Sequence, residues 1–203
     1  MLVSVTAKSL LDQAATLFDD ELKGLAREAP QAWRDGFASG GQWMHRSLEI
    51  LRGKSLPMPA RKFNVLGSIK YCLAIGAALV PVIAGLVFHW HFLVVLAVPA
   101  FYAVEVQMVF LFPVVIDGSR YAFRESRQWT VRAGGTLAVM RVVLALATTM
   151  LFGGFVGRGF VRSWCLGCLA VCIWYESLRQ ACIRSCSTLE NNESTAVEVR
   201  SVH

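Results

Sequence analysis

Charge is what this chain has least of. Lys, Arg, Asp and Glu together make up 17 % of its residues, where a soluble domain carries about a quarter. The shortage is local: the first sixty residues are polar and mixed, while 64–182 is mostly apolar. That excludes an ordinary soluble domain and points to a membrane protein with several crossings. Histidine is scarce, with four in the chain. None lies deep in an apolar run, which excludes axial haem ligation inside the helices. Catalytic signatures are missing as well: no G-x-S-x-G, no P-loop and no H-E-x-x-H occurs. The six cysteines, Cys72, Cys165, Cys168, Cys172, Cys182 and Cys186, all stand in or beside apolar segments. They do not form the framework of a small disulfide-bonded domain. "MLVSVTAKSLLDQAATLFDDELK" has no basic stretch before an apolar core, so no secretory leader is predicted.

What is there predicts an all-α, polytopic membrane protein. Four stretches reach the length of a crossing, at roughly 20 residues each: 65–88, 92–116, 134–155 and 160–182. The connections between the first two and between the last two are short. The expectation is four transmembrane helices as two antiparallel hairpins. Basic residues flank one side: Arg46, Arg52, Lys54, Arg61 and Lys62 before the first stretch, and Arg120, Arg124, Arg127 and Arg132 after the second. The other side has His89-Trp90-His91 and a turn with only Arg158 and Arg162. The positive-inside rule then places both termini in the cytoplasm, in a plasma or inner membrane. Asn192-Glu193-Ser194 reads as a glycosylation sequon but falls on the wrong side to be used. The formal net charge of +6 has anionic headgroups as its natural partner rather than nucleic acid, because the cations border apolar runs.

Before the apolar region lies an amphipathic pattern. Leu10, Leu11, Ala14, Leu17, Phe18, Leu22 and Leu25 recur at helical spacing, and Pro30 redirects the chain. A second stripe follows at Trp33, Phe37, Gly40, Met44, Leu48 and Leu51. Residues 1–60 read as a cytoplasmic amphipathic helical hairpin, with Trp33 and Trp43 at the membrane interface. Residues 64–182 read as the transmembrane bundle and 187–203 as a disordered cytoplasmic tail. A protein partner is expected through residues 1–52.

Four charges and one amide interrupt the crossings: Lys70, Glu105, Gln107, Arg141 and Glu176. Counting down from each turn, at about 1.5 Å per residue, puts the four charges within roughly two helical turns of one depth. Their formal charges cancel. An unpaired charge at the bilayer centre costs about 2.5–3.5 kcal/mol, so pairing is expected. Matched depth favours Arg141 with Glu176, while Lys70 snorkels to the headgroups and Glu105 is left deepest. Arg120, Arg124 and Arg127 fall on one helical face suited to phosphate headgroups. Asp117-Gly118 followed by Arg120 is similar to the start of the CDP-alcohol phosphotransferase motif, but the downstream aspartates of that family are missing.

Cys165-Leu166-Gly167-Cys168 is a C-x-x-C at the outer start of the fourth stretch. With four predicted helices, it resembles the vitamin K epoxide reductase family. That resemblance implies thiol–quinone electron transfer through Cys165 and Cys168, with the helix N-terminus activating the first thiol. The family's second cysteine pair, in the loop after its first helix, has no counterpart here. A metal set of Cys165, Cys168, His89 and His91 is the one grouping near a common end, and it is read as packing and interfacial residues, so no metal is assigned. No pattern names a cofactor. The expectation is a non-enzymatic accessory subunit that assembles with a membrane complex. The alternatives are a thiol oxidoreductase using Cys165 and Cys168, and a small transporter or lipid-handling protein using Glu105 and Arg141.

Overall fold

The computed structural model describes residues 6–22, 37–59, 63–153 and 159–200, and every regular element among them is helical. Helix α1 runs Ala7–Leu17 and continues as a π-helical turn over Phe18–Leu22. The Thr6 side chain caps its start, accepting from the Ser9 N–H at 3.3 Å. Leu10, Ala14, Phe18 and Leu22 are its buried stripe. A spacing of four overshoots the α-helical turn, and the wider π turn offsets that drift. The predicted turn at Pro30, with Leu25 and Trp33, lies outside the described residues. Helix α2 is Phe37–Arg52 and helix α3 is Phe63–Val87.

The chain then turns at Phe88–Trp90, with His89 in the left-handed region at φ 56°. The return strand of helix is not continuous. A 3₁₀ segment, His91–Leu96, leads into α4, Ala97–Gln107. A turn at Met108–Phe110 separates α4 from α5, Leu111–Ile116. Proline explains both joints. Pro99 and Pro113 each stand in the first turn of their helix, where the missing N–H costs no helical bond. Helix α6 is Ala122–Arg132, α7 is Gly135–Phe152 and α8 is Phe160–Arg200. The polar tail from Ser187, predicted to be disordered, continues α8 as helix to Arg200. No proline or glycine stands between Gly167 and Arg200 to stop it.

Three segments have the length and apolarity to cross a membrane: Phe63–Val87, His91–Ile116 and Gly135–Phe152. They mark this as a membrane protein. The stretch predicted as a fourth crossing is not among them. Its apolar part is bounded by Arg162 at one end and by Glu176 and Arg179 at the other.

Helix α3 and residues 91–107 run antiparallel, since Lys70 meets Glu105 and Gly85 lies against Trp90 and Val94. Together they form an arm whose outer half packs on little else. Leu79, Val80, Ile83, Leu86, Val95 and Val98 all point outward and are exposed. The opposite holds for α8. From Cys165 to Tyr175 its apolar side chains are buried against α1, α2 and α7. Helices α1 and α2 thus share one core with α8. Trp43, predicted at the membrane interface, is buried, and its Nε1 donates to the Cys165 carbonyl at 3.3 Å.

Helices α7 and α8 are antiparallel, with Gly153 beside Ser163 and Gly167 beside Met150. The base of the arm joins the core through close helix approaches. A Cβ on Gly41 would overlap the Phe63 ring, and one on Gly67 the Phe37 ring.

Candidate functional site

A cavity of about 530 Å³ opens where the arm meets α2, α7 and α8. Its walls are apolar and strongly aromatic. Phe37 from α2 stacks on Tyr71 from α3, with centroids 5.1 Å apart and planes at 16°. Tyr71 is followed by Phe101 at 6.4 Å, and Phe101 by Tyr102 at 5.5 Å. Phe160 and Trp164 from α8 and Val143 and Met150 from α7 close the other side.

Two of the predicted residues meet in this cavity. Lys70 Nζ lies 2.7 Å from Glu105 Oε1, and the side chains are 8 % and 16 % exposed. The sequence predicts that Lys70 snorkels to the headgroups, and it does not: its ammonium turns inward to Glu105. Its helix turns it toward the return segment, where Glu105 offers a closer partner than the headgroups. The ammonium also stands 5.5 Å from the Tyr71 ring centroid, within cation–π range. Only half of the carboxylate is satisfied. Glu105 Oε2 is buried and meets no donor among the described residues. A buried polar atom left in this state is costly and calls for an account.

Gln107 lies away from the pair. Its Nε2 donates to Thr136 Oγ1 at 2.7 Å, tying the end of α4 to the start of α7. The end of α4 leaves carbonyls without helical partners. Ser126 and Thr130, one turn apart on α6, donate to the Gln107 and Val106 carbonyls, each at 3.0 Å.

The predicted pair of Arg141 with Glu176 does not form. Helix α7 buries Val139, Val143 and Leu146, and Arg141 falls outside that stripe and is exposed. Depth counting sets the height of a side chain and not the side of the helix it leaves from. Glu176 instead accepts from Arg52 Nε at 2.9 Å and from Arg179 Nη1 at 3.1 Å. Arg52 also forks onto both oxygens of Asp117, which accepts from the Tyr175 hydroxyl at 2.7 Å. Burial works against the Arg52 charge, but the hydrogen bonds to Asp117 and Glu176 outweigh it and hold the guanidinium protonated more firmly than usual. Arg52 and Asp117 were legible only as loop charges, since both stand outside the apolar stretches.

The cysteines Cys165 and Cys168 are buried, free thiols. Cys168 faces the cavity, whereas Cys165 lies beneath Trp43. Helix α8 starts at Phe160, so Cys165 is beyond its first turn, where the helix dipole has largely faded. The N-terminal activation predicted for it is therefore not available. Cys172 packs against α2, with its sulfur 3.9 Å from the Met44 carbonyl. No group of three His, Cys, Asp or Glu side chains able to hold a metal occurs among the described residues. Arg120 precedes α6, while Arg124 and Arg127 are on its exposed side, opposite Ala122, Ser126 and Thr130.

Comparison with protein families, with curated proteins and with solved structures finds no match for the chain.

Proposed function

We propose that this membrane protein binds an apolar molecule drawn from the bilayer, in the cavity at the base of the arm. The observation that carries the reading is the cavity itself: an aromatic-walled, apolar space with one buried ion pair in its lining. Its volume lies in the range of ligand sites, which are mostly apolar with a few convergent polar groups. This is the lipid-handling reading, with Glu105 in the site and Lys70 in the place given to Arg141.

Position in the bilayer supports it. From Lys70 to Phe88 the arm rises roughly 27 Å at about 1.5 Å per residue, close to the roughly 30 Å hydrocarbon thickness. Lys70 and Glu105 then stand near one interface and His89-Trp90-His91 near the other. Arg52 and Lys54 precede the arm in sequence and Arg124, Arg127 and Arg132 follow it, which favours the cytoplasmic side for the base of the arm. A lipid headgroup and the ion pair are thus at similar depth.

The same considerations take α8 away from the lipid. The four-crossing reading puts Asp19 and Arg162 on opposite sides of the membrane, yet Arg162 Nη2 is 2.7 Å from Asp19 Oδ2. Helix α1 covers α8 and turns Lys8, Asp12, Gln13 and Glu21 outward, side chains that need water or headgroups. We place α8 in the protein's own core.

The competing readings have less behind them. Docking of a protein partner through residues 1–52 relied on apolar faces that α1 and α2 already bury against α8. Thiol–quinone chemistry relied on an accessible Cys165 and a relay pair.

Filling the cavity tests the proposal. Ala147→Phe places a ring in the wall beside Met150. The wild-type protein, purified in gentle detergent and extracted with organic solvent, is expected to release a stoichiometric apolar compound by mass spectrometry. The variant, with an unchanged circular dichroism spectrum, is expected to release less than about a tenth of it. Equal release from both would overturn the reading.

A further inference from the structure

Arg141 is the only charged residue of α7, and α7 is one of the segments able to cross a membrane. It stands on the outward stripe of that helix with Leu137, Leu144 and Leu151, all exposed, while Val139, Val143 and Leu146 turn inward. It makes no hydrogen bond or ion pair among the described residues. The carboxylates of the apolar stretches are engaged elsewhere, Glu105 with Lys70 and Glu176 with Arg52 and Arg179. Charged side chains inside a crossing ordinarily face the protein interior and find a partner there. A guanidinium among lipid-facing leucines needs a partner that the bilayer supplies.

The bilayer offers anions at its surfaces. The Arg141 Cα stands roughly 9 Å from the start of α7 and roughly 17 Å from its end, at the α-helical rise. Side chains on a helix lean toward its N-terminus, so Arg141 leans toward the nearer surface. Ala138 and Gly134, one and two turns before it and both exposed, leave that path free of bulk. A long basic side chain lays its stem on such a surface and delivers its head to the headgroup level. Arg132, exposed and three residues before α7, adds positive charge at the same end.

We infer that this face of α7 holds a phospholipid whose phosphate is its only charge. The guanidinium forks onto two phosphate oxygens, and an acyl chain lies along Leu144 and Leu151. A zwitterionic head fits less well. Its ammonium adds positive charge beside Arg141 and Arg132, and α7 has no carboxylate to receive it. The site depends on α7 as a crossing and is independent of the cavity.

Native mass spectrometry tests this on the full-length protein in nonionic detergent, titrated with phosphatidylglycerol and phosphatidylcholine of identical chains. One phosphatidylglycerol is expected to bind about tenfold more tightly than phosphatidylcholine. Arg141→Gln is expected to bring the two lipids level. Arg141→Lys keeps the charge and is expected to stay within about threefold of the wild type. Lys8→Gln removes an exposed charge elsewhere, and Ala147→Phe fills the cavity. Both are expected to leave the preference unchanged.

Equal binding of the two lipids by the wild-type protein, or a preference that survives Arg141→Gln, would overturn the inference. Loss of the preference in Ala147→Phe alone would move the lipid to the cavity and overturn it too. So would a dimer that dissociates on Arg141→Gln, since a second copy would then cover this face. If Arg141→Gln fails to accumulate, phosphatidylglycerol with a photoactivatable diazirine in its headgroup locates the site on the wild-type protein. Adducts within 134–141 support the assignment, and adducts confined to other segments overturn it.

Discussion

The arm and α8 are both strongly apolar, yet they face different surroundings. On the arm, Val80 is 67 % exposed and Val95 74 %. On α8, Leu169 and Cys172 are fully buried. The difference is what lies beside each. Two helices with polar outer faces cover α8, and among the described residues nothing comparable covers the outer arm. Hydropathy reports that a segment avoids water and is silent on whether lipid or protein provides the shelter. The cavity sits on the seam between the two regions, where one wall belongs to each.

The comparison breaks hardest at the charged end of α8. Arg52 is 5 % exposed and holds Glu176 and Asp117 together. Arg52→Met leaves two carboxylates without their main partner, and breaking a buried pair costs about 3–5 kcal/mol. Thermal unfolding in detergent is expected to show that loss, while Arg141→Met, on an exposed face, shifts unfolding by no more than about 0.5 kcal/mol. Equal effects would restore the Arg141–Glu176 pair.

Leu169 and Leu79 give the cleanest contrast between the two regions. Leu169→Ala opens a hole in the protein core and is expected to cost about 2–5 kcal/mol. Leu79→Ala removes an outward side chain from the arm and is expected to cost less than about 0.5 kcal/mol in detergent. Trp43→Phe keeps most of the packing over α8 but loses the bond to the Cys165 carbonyl. About 1 kcal/mol is expected from that loss.

The smallest effect lies where α2 ends. Glu49 accepts from the Leu56 N–H at 3.0 Å and from Ser55 Oγ at 3.3 Å. The Leu56 bond holds its carboxyl below the ordinary range. A group depressed in the folded state stabilises above its unfolded pKa, about 4.3, and that contribution is lost as pH falls through the folded value. Glu49→Gln is expected to lower stability slightly at pH 8, where the charged group contributes in full, and to converge on the wild type as pH falls below about 4.5. A variant profile parallel to the wild type throughout would remove Glu49 from the account.

Much of the fold was legible because periodicity is local. The stripe Leu10, Ala14, Phe18, Leu22 and the uncharged runs of the arm can be read residue by residue. The joints at Leu96–Ala97 and Met108–Phe110 were not legible, since 92–116 reads as one crossing by hydropathy and Pro99 and Pro113 mark helix starts only once the starts at Ala97 and Leu111 are seen. What sequence spacing does not carry is azimuth and partnership. Lys70 and Glu105 were singled out as expensive charges, but that they meet each other depends on how α3 and α4 rotate. A helical wheel places Arg141 off the stripe of Val139, Val143 and Leu146, and so contained the warning against pairing it inward. The covering of α8 by α1 and α2 joins residues more than a hundred positions apart, as with Arg52 and Glu176, and no local pattern encodes it.

The central claim is that the arm faces lipid and α8 faces protein. Full-length protein in nanodiscs containing a lipid with a photoactivatable diazirine near the middle of its acyl chain tests this in one measurement. After illumination and proteolysis, mass spectrometry locates the adducts. Adducts are predicted on the outward residues of the arm, including Leu79, Val80, Ile83 and Val95, and none on α1 or on Leu169 and Ile173 of α8. Adducts on Leu169 and Ile173 at the yield of the arm would contradict the account and return α8 to the lipid.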